Sequence, residues 1–411
     1  MMKRREFVSH ATKMGCAYAV ATTLPRWAWA AAPTETPHYF VLVRTFGGMD
    51  VTLGLDPQIL VPGADEKDMF VEYRPDEITE TGGLRLAPAA KSLATHAADC
   101  LIVNGVMMRR DAGHEVNSAY MISGRGDAKA ASVPGELSLA RGEGPFGIMS
   151  SSGVYSAGKP ISVSSTQDLL VQAEGENLPN WVEERLEFLA VEKGTPLELA
   201  EQQLVNGKEI ALAAQKMVEG FKKEGQTVDA RHAIAAALSV GGSRHAQLDL
   251  SASLDTHSNH ATTHLQAQTQ IWEGVAGLFW LFKRIPCGEG SLFDHTTFMV
   301  ASEWSRTPYL NAAKGKDHNP FTNSVLFAGK GIRKGMVVGK SRLVTRKQTG
   351  TLADHIAAPW NYREQAIAQG PQGASFIYPE NLVRTLGEIF GNPEGFHPVP
   401  SSVPFVAPIL K

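Results

Sequence analysis

Three histidines and an aspartate fall within the eleven residues LDTHSNHATTH, Leu254–His264, of a 411-residue chain that carries 13 histidines. Carboxylate oxygen and imidazole nitrogen are metal-ligand atoms, and a mixed set of the two suits Zn, Mn or a similar divalent ion. Alternate side chains of an extended segment share a face, so Asp255 and His257 are expected to point into one pocket. His260 and His264, four apart, share a face of the helix expected to follow. The plainer alternatives are that Asp255 caps that helix, with Thr256 or Ser258 beside it, and that the helix histidines are solvated.

A second group lies in VASEWSRTPYLNAAKGKDHNP, residues 300–320. An apolar run ends in Glu303 and is followed by Arg306 and by Asp317-His318, which brings a carboxylate, a guanidinium and an imidazole to one rim. The arginine offers a forked donor to phosphate, sulfate or carboxylate oxygens; an ordinary Glu303–Arg306 surface pair is the alternative. Two further motifs fail. His114-Glu115 begins a zinc-protease H-E-x-x-H pattern, but Ser118 stands at the second histidine position. GKGIRKG, residues 329–335, lacks the spacing of a phosphate loop and reads as a turn after a strand.

Strand ends must deliver these groups. HYFVLVRTFGGMD, residues 38–50, is an apolar run that carries Asp50 at its end. Residues 86–99 have helical spacing, and 100–108, 296–304 and 324–331 read as buried strands. Residues 247–257 read as a half-buried strand ahead of a helix over 259–284, and another helix opens near His114. Alternation of strand and helix predicts an α/β fold with a mostly parallel sheet, its site beyond the strands' carboxyl ends. Residues 178–238 read as a helical insertion within a single domain over 38–411.

The N-terminal 30 residues have a basic start with Arg4-Arg5, a mildly apolar run and an A-x-A ending at Ala30, as in a cleaved export signal. The paired arginines before Glu6 and Phe7 point to the twin-arginine route, and hence to a periplasmic or secreted protein. Pro25-Arg26 interrupts a run already shorter than the roughly 20 residues of a membrane span, so no stable insertion is expected after cleavage. Cleavage would take away five basic side chains and Glu6, leaving 34 Lys and Arg against 41 Asp and Glu, a net charge of −7. That balance argues against nucleic acid as a partner. Cys100 and Cys287 would remain, with no thiolate metal site available; whether they pair is left open.

The twin-arginine start, the strand into GGMD, GHEVNSAYMISG after the second strand, LDTHSN, and SEWSRTPYLN followed by KDHNP together resemble the DUF1501 family of exported bacterial proteins. The resemblance implies kinship with the alkaline phosphatase and sulfatase superfamily, a three-layer α/β/α sandwich with a metal centre at the strand ends. It implies Asp50, Asp255, His257, Glu303 and His318 as ligands of a divalent metal (Zn, Mn or Ca), with His260 as the alternative to His257. His114 and Arg306 become the catalytic pair, and a small anionic ester or glycan becomes the substrate. The sequence departs from the family pattern twice. Trp304 follows Glu303 where many relatives have histidine, and Gly113 precedes His114 where a hydroxyl nucleophile is common, which leaves Ser118, Thr307, His114 or water to attack. The expected activity is metal-dependent hydrolysis of phosphate or sulfate esters; the alternative is a non-catalytic binding protein on the same fold.

Overall fold

The protein is described here by a computed structural model that covers residues 37–59, 75–109, 113–127, 130–142, 144–171, 197–344, 355–391 and 399–411. The expected signal over residues 1–30 lies outside them, as does the part of the helical insertion before residue 197. Among the described residues no helix is long and apolar enough to cross a membrane.

Short apolar runs bounded by polar turns make the sheet strands: β1 (Tyr39–Arg44), β2 (Cys100–Asn104), β3 (Ile148–Ser150), β4 (Val163–Ser165), β5 (His245–Asp249), β6 (Thr296–Ala301), β7 (Ser324–Gly329) and β8 (Met336–Gly339). Their order is β8-β2-β7-β6-β1-β5-β3-β4. All residues of β2, β6 and β7 are buried, as befits strands covered on both faces. The sheet is large and mostly parallel: β8 runs parallel to β2, and β3 runs parallel to both β4 and β5. The exception among these pairings is β7, antiparallel to β2 with Ser324 opposite Asn104 and Ala328 opposite Cys100.

The chain divides into two compact units. One takes in the chain up to Val41, Leu137–Leu248 and Leu278–Thr297. Within it two helices of the expected insertion, Leu197–Lys223 and Ala230–Ser239, pack together, the second capped by the Asp229 side chain on the Arg231 amide. The other unit takes in Leu42–Glu136, Asp249–Gly277 and Phe298–Lys411, and it carries every candidate site residue named above. Here the helix α1 (His114–Ser123) packs on the helix α2 (Pro379–Ile389). Cys100 and Cys287 are both buried, and no disulfide joins them.

The helical spacing of residues 86–99 is realised as a 3-10 helix, Pro88–Asp99, after a short strand that ends at Leu86. One expected element differs from the structure. The strand expected over 247–257 ends at Asp249. Beyond it the Leu254 amide donates to Ala252 O and the Thr256 amide to Leu254 O, each at 2.9 Å. These closures over two residues kink the chain out of any ladder. The following helix, His260–Arg284, begins where expected, and Lys283 and Arg284 in its last turn complement its dipole before Pro286 forbids another turn.

Candidate metal centre

Beyond β1 the chain turns through Gly47 (φ +108°) and Gly48 (φ +74°). A Cβ on Gly47 would stand 2.7 Å from the Asp255 amide nitrogen, and one on Gly48 would stand 2.5 Å from the Trp304 ring. Only glycine allows both the turn and these approaches. On the far side, the loop 311–318 is laced to residues 256–260. The Lys316 amide donates to Thr256 O (3.0 Å), the His260 amide to Lys314 O (2.9 Å) and the Asn311 side-chain amide to His257 O (3.0 Å). A Cβ on Gly315 would fall 1.8 Å from the His257 carbonyl carbon, so the two segments touch backbone to backbone.

This scaffold sorts the polar side chains into two groups. The outer one gathers around Asp255 Oδ1, which lies 3.1 Å from His257 Nε2, 3.5 Å from His114 Nε2 and 3.6 Å from His318 Nε2. The Nε2 atoms of His257 and His318 are 3.1 Å apart. His114, Asp255 and His318 offer ligand atoms that all lie within 4.8 Å of one another. Trp304 stacks on His318 at 4.2 Å between ring centroids and lies 4.7 Å from the His114 ring. Burial first, then the neighbouring Arg306 guanidinium, holds His318 down at about 4, so the ring is neutral at neutral pH and one of its nitrogens is free to ligate. Burial works to raise the Asp255 carboxyl, but the Arg306 guanidinium bonded to it outweighs this and holds it below its ordinary value. Asp317 balances the same way: burial raises it, and bonds from His257 and Asn311 lower it further.

The inner group centres on Asp50, which is fully buried. Its carboxylate receives the Lys316 ammonium at 2.6 Å, the Thr52 amide at 3.0 Å and the Thr52 hydroxyl at 2.7 Å, and His260 Nε2 lies 3.1 Å away. Thr256 Oγ1 bridges the Nδ1 atoms of His260 (2.8 Å) and His264 (2.9 Å). The Asp50 amide donates to His264 Nε2 (3.1 Å), and Gln268 donates to the Asp50 carbonyl (2.8 Å). Burial works to raise Asp50, but Lys316 and His260 outweigh it and keep the carboxylate well below its ordinary value. Burial holds His260 near 4 against the pull of its bond to Asp50; burial and the neighbouring His260 hold His264 near 3.

Of the residues expected from the sequence, Asp255, His257, His318 and His114 therefore come together, and Asp50 does not join them. One Asp50 oxygen meets Lys316 and His260 and the other accepts from the Thr52 amide and hydroxyl. His260 accompanies Asp50, so it does not take the place of His257. Glu303 turns away from the gap: its Oε1 meets His114 Nδ1 at 2.5 Å and its Oε2 accepts from the Ser302 hydroxyl at 2.8 Å. Arg306 is fully buried and spends its guanidinium on the Gly47, Gly48 and Lys316 carbonyls and on Asp255, where its Nη2 donates at 2.6 Å. It organises the loops around Asp255 instead of facing a substrate anion. Of the two candidate hydroxyls, Ser118 is buried in α1, and Thr307 donates to Tyr309 O while accepting from the Asp317 amide.

Asp317 was expected at the rim beside His318, whereas Lys316 and Thr256 were not expected as site residues and Trp304 only as a replacement for a histidine. Lys316 precedes Asp317-His318 in KGKDH, but a lysine between glycine and aspartate reads as a solvated turn, and only the 266-residue return to Asp50 reveals its place.

The solved "Structure of PH0037 protein from Pyrococcus horikoshii" is 10% identical, with 73% of this chain and 89% of that chain covered and a TM-score of 0.26. None of the curated proteins matches the chain. Residues 187–376, the span that holds Asp255, His257, Glu303, Arg306 and His318, match the family described as "Protein of unknown function (DUF1501)", which supports that family for this chain.

Proposed function

We propose that this is an exported metal-dependent hydrolase of small phosphate or sulfate esters, built on a sulfatase-like α/β/α sandwich, with its ion held by His114, Asp255 and His318. The observation that carries the reading is the spacing of the outer donors. Ligands in a tetrahedron about 2.1 Å from a zinc ion are about 3.4 Å from one another. Asp255 Oδ1 stands 3.5 Å from His114 Nε2 and 3.6 Å from His318 Nε2, and the three ligand atoms all lie within 4.8 Å of one another. His114 Nε2 is also buried and, among the described residues, has no hydrogen-bond partner. Two imidazole nitrogens and one carboxylate oxygen favour Zn, or secondarily Mn, over an oxygen-seeking ion such as Ca.

A divalent ion there supplies Lewis acidity toward a phosphoryl or sulfuryl oxygen. The chain's own groups supply the rest. His257 is half exposed and has Asp317 Oδ1 at 3.0 Å from its Nδ1, so it is placed to take the proton of an attacking water as the ester oxygen leaves. Arg306 fixes the Asp255 carboxylate, and Trp304 wedges His318. Zinc titration of the purified chain by calorimetry, with an aryl phosphate and aryl sulfate assay, tests the reading. About one equivalent should bind, and Asp255→Ala should weaken binding at least about 100-fold by removing the central donor. A wild-type chain that binds neither Zn nor Mn ends the proposal.

A second reading, an exported binding protein, is favoured by one observation. Gly113 supplies no hydroxyl at the start of α1, and a side chain there would meet nothing within 4 Å. Ester cleavage seen only after Gly113→Ser would make the natural protein a binder.

A further inference from the structure

We infer that Glu303 is a positioning residue that fixes His114 in one tautomer, with Nδ1 protonated and Nε2 presented as a bare lone pair to the gap beside Asp255 and His318. The inference follows from counting donors and acceptors around a buried carboxylate. Glu303 is 1% exposed. Its Oε1 receives the Gly47 amide at 2.8 Å and its Oε2 the Ser302 hydroxyl at 2.8 Å, so the protein supplies hydrogens to both oxygens. His114 Nδ1, 2.5 Å from Oε1, completes the set as a third donor. A histidine has one proton to place when neutral; one committed to Nδ1 leaves Nε2 an acceptor.

The ring has little room to turn. Its centroid lies 5.1 Å from that of Phe46, 4.7 Å from Trp304 and 4.4 Å from His318, the last in an edge-on arrangement. The Gly47 amide that anchors Glu303 belongs to a left-handed turn that only glycine adopts easily, so the carboxylate is held from the backbone outward. The result is a carboxylate–imidazole pair in which the acid orients the ring and raises the basicity of the far nitrogen. Glu303 thus acts on the site through His114 without facing the gap. Its consequence for ion binding rests on the function proposed above; the tautomer itself does not.

Nitrogen-15 NMR of the histidine rings in the full chain at neutral pH, without added metal, reads the tautomer. Wild type is expected to show His114 protonated at Nδ1 and bare at Nε2. Glu303→Met, which removes the acceptor, should erase that preference and weaken zinc affinity 10- to 100-fold in calorimetry. Glu303→Gln, whose carbonyl still accepts from Nδ1, should restore the tautomer and part of the affinity. A purely structural Glu303 would change stability but leave the tautomer and the affinity of the folded chain alone. Protonation of Nε2 in wild type overturns the inference even if Glu303→Met does not fold, and so does a folded Glu303→Met that keeps both the tautomer and the zinc affinity. If wild type shows the expected tautomer yet binds no zinc, the hydrolase reading fails and the role of Glu303 stands.

Discussion

The inner and outer groups share two chain segments, residues 255–264 and 316–318, the inner adding Asp50 and Thr52 and the outer adding His114, yet they end in different states. Successive residues part company: Thr256 and Lys316 turn inward and are buried, whereas the side chains of Asp255, His257 and Asp317 are about half exposed. Inside, an aspartate meets an ammonium, a hydroxyl, an amide and an imidazole, and its charge is neutralised within the protein. Outside, imidazole nitrogens and the Arg306 guanidinium face one carboxylate oxygen, and one of those nitrogens, His114 Nε2, is buried without a hydrogen-bond partner among the described residues. Aspartate and histidine in proximity therefore do not define a metal centre. Each aspartate already meets a cation of the protein, Lys316 at Asp50 and Arg306 at Asp255; what separates them is that the Asp50 carboxylate is fully buried with both oxygens engaged, whereas the Asp255 side chain is about half exposed.

The strongest way to break this contrast is Asp50→Asn, which strands the Lys316 ammonium in the interior. Removing one partner of a buried ion pair costs about 3–5 kcal/mol. Urea denaturation should show that loss, while zinc binding by the folded variant stays as in wild type. Loss of zinc binding in a folded Asp50→Asn protein would merge the two groups into one site and undo the distinction.

Acid should act on the inner group next. His260 and His264 are held near 4 and 3 in the folded chain against an ordinary value of 6.5. A histidine with a depressed value stabilises the fold fully above 6.5 and loses that contribution as pH falls toward its folded value. Stability should thus be level above about pH 7 and decline below 6.5, by at most about 1.4 kcal/mol per pH unit for each group. Denaturation curves at pH 7.5, 5.5 and 4.5 check the sign; rising stability over that acidification would contradict the neutral state of these rings. The smallest effect belongs to the outer rim. Gly113→Ser meets open space at an extended N-cap position and should add only a few tenths of a kcal/mol, read as a slight rise in melting temperature.

How much of this was legible in the sequence follows from what a local pattern can report. The buried strands around Leu101, Met299 and Leu326 and the helix start at His260 are written in runs of apolar side chains and in spacing. So is the presence of Asp255, His257, Glu303, Arg306 and His318 in one neighbourhood. Which of them face the gap is not written there. Arg306 has the chemistry of an anion clamp but is consumed by the carbonyls of Gly47, Gly48 and Lys316, contacts set by long returns of the chain. Asp50 has the chemistry of a ligand but is closed by Lys316. Alternation near Leu248 and Leu254 imitates a strand, although the backbone between them kinks into short turns.

Gly315 joins the fates of the two groups. Because its missing side chain lets one backbone lie against the carbonyl of His257, even a single methyl there would act as a wedge, driving Lys316 from Asp50 and His318 from Asp255 in one stroke. Chemistry at the rim can be retuned through His257 or Asp317, whose side chains reach water; the hinge line beneath them admits no such adjustment.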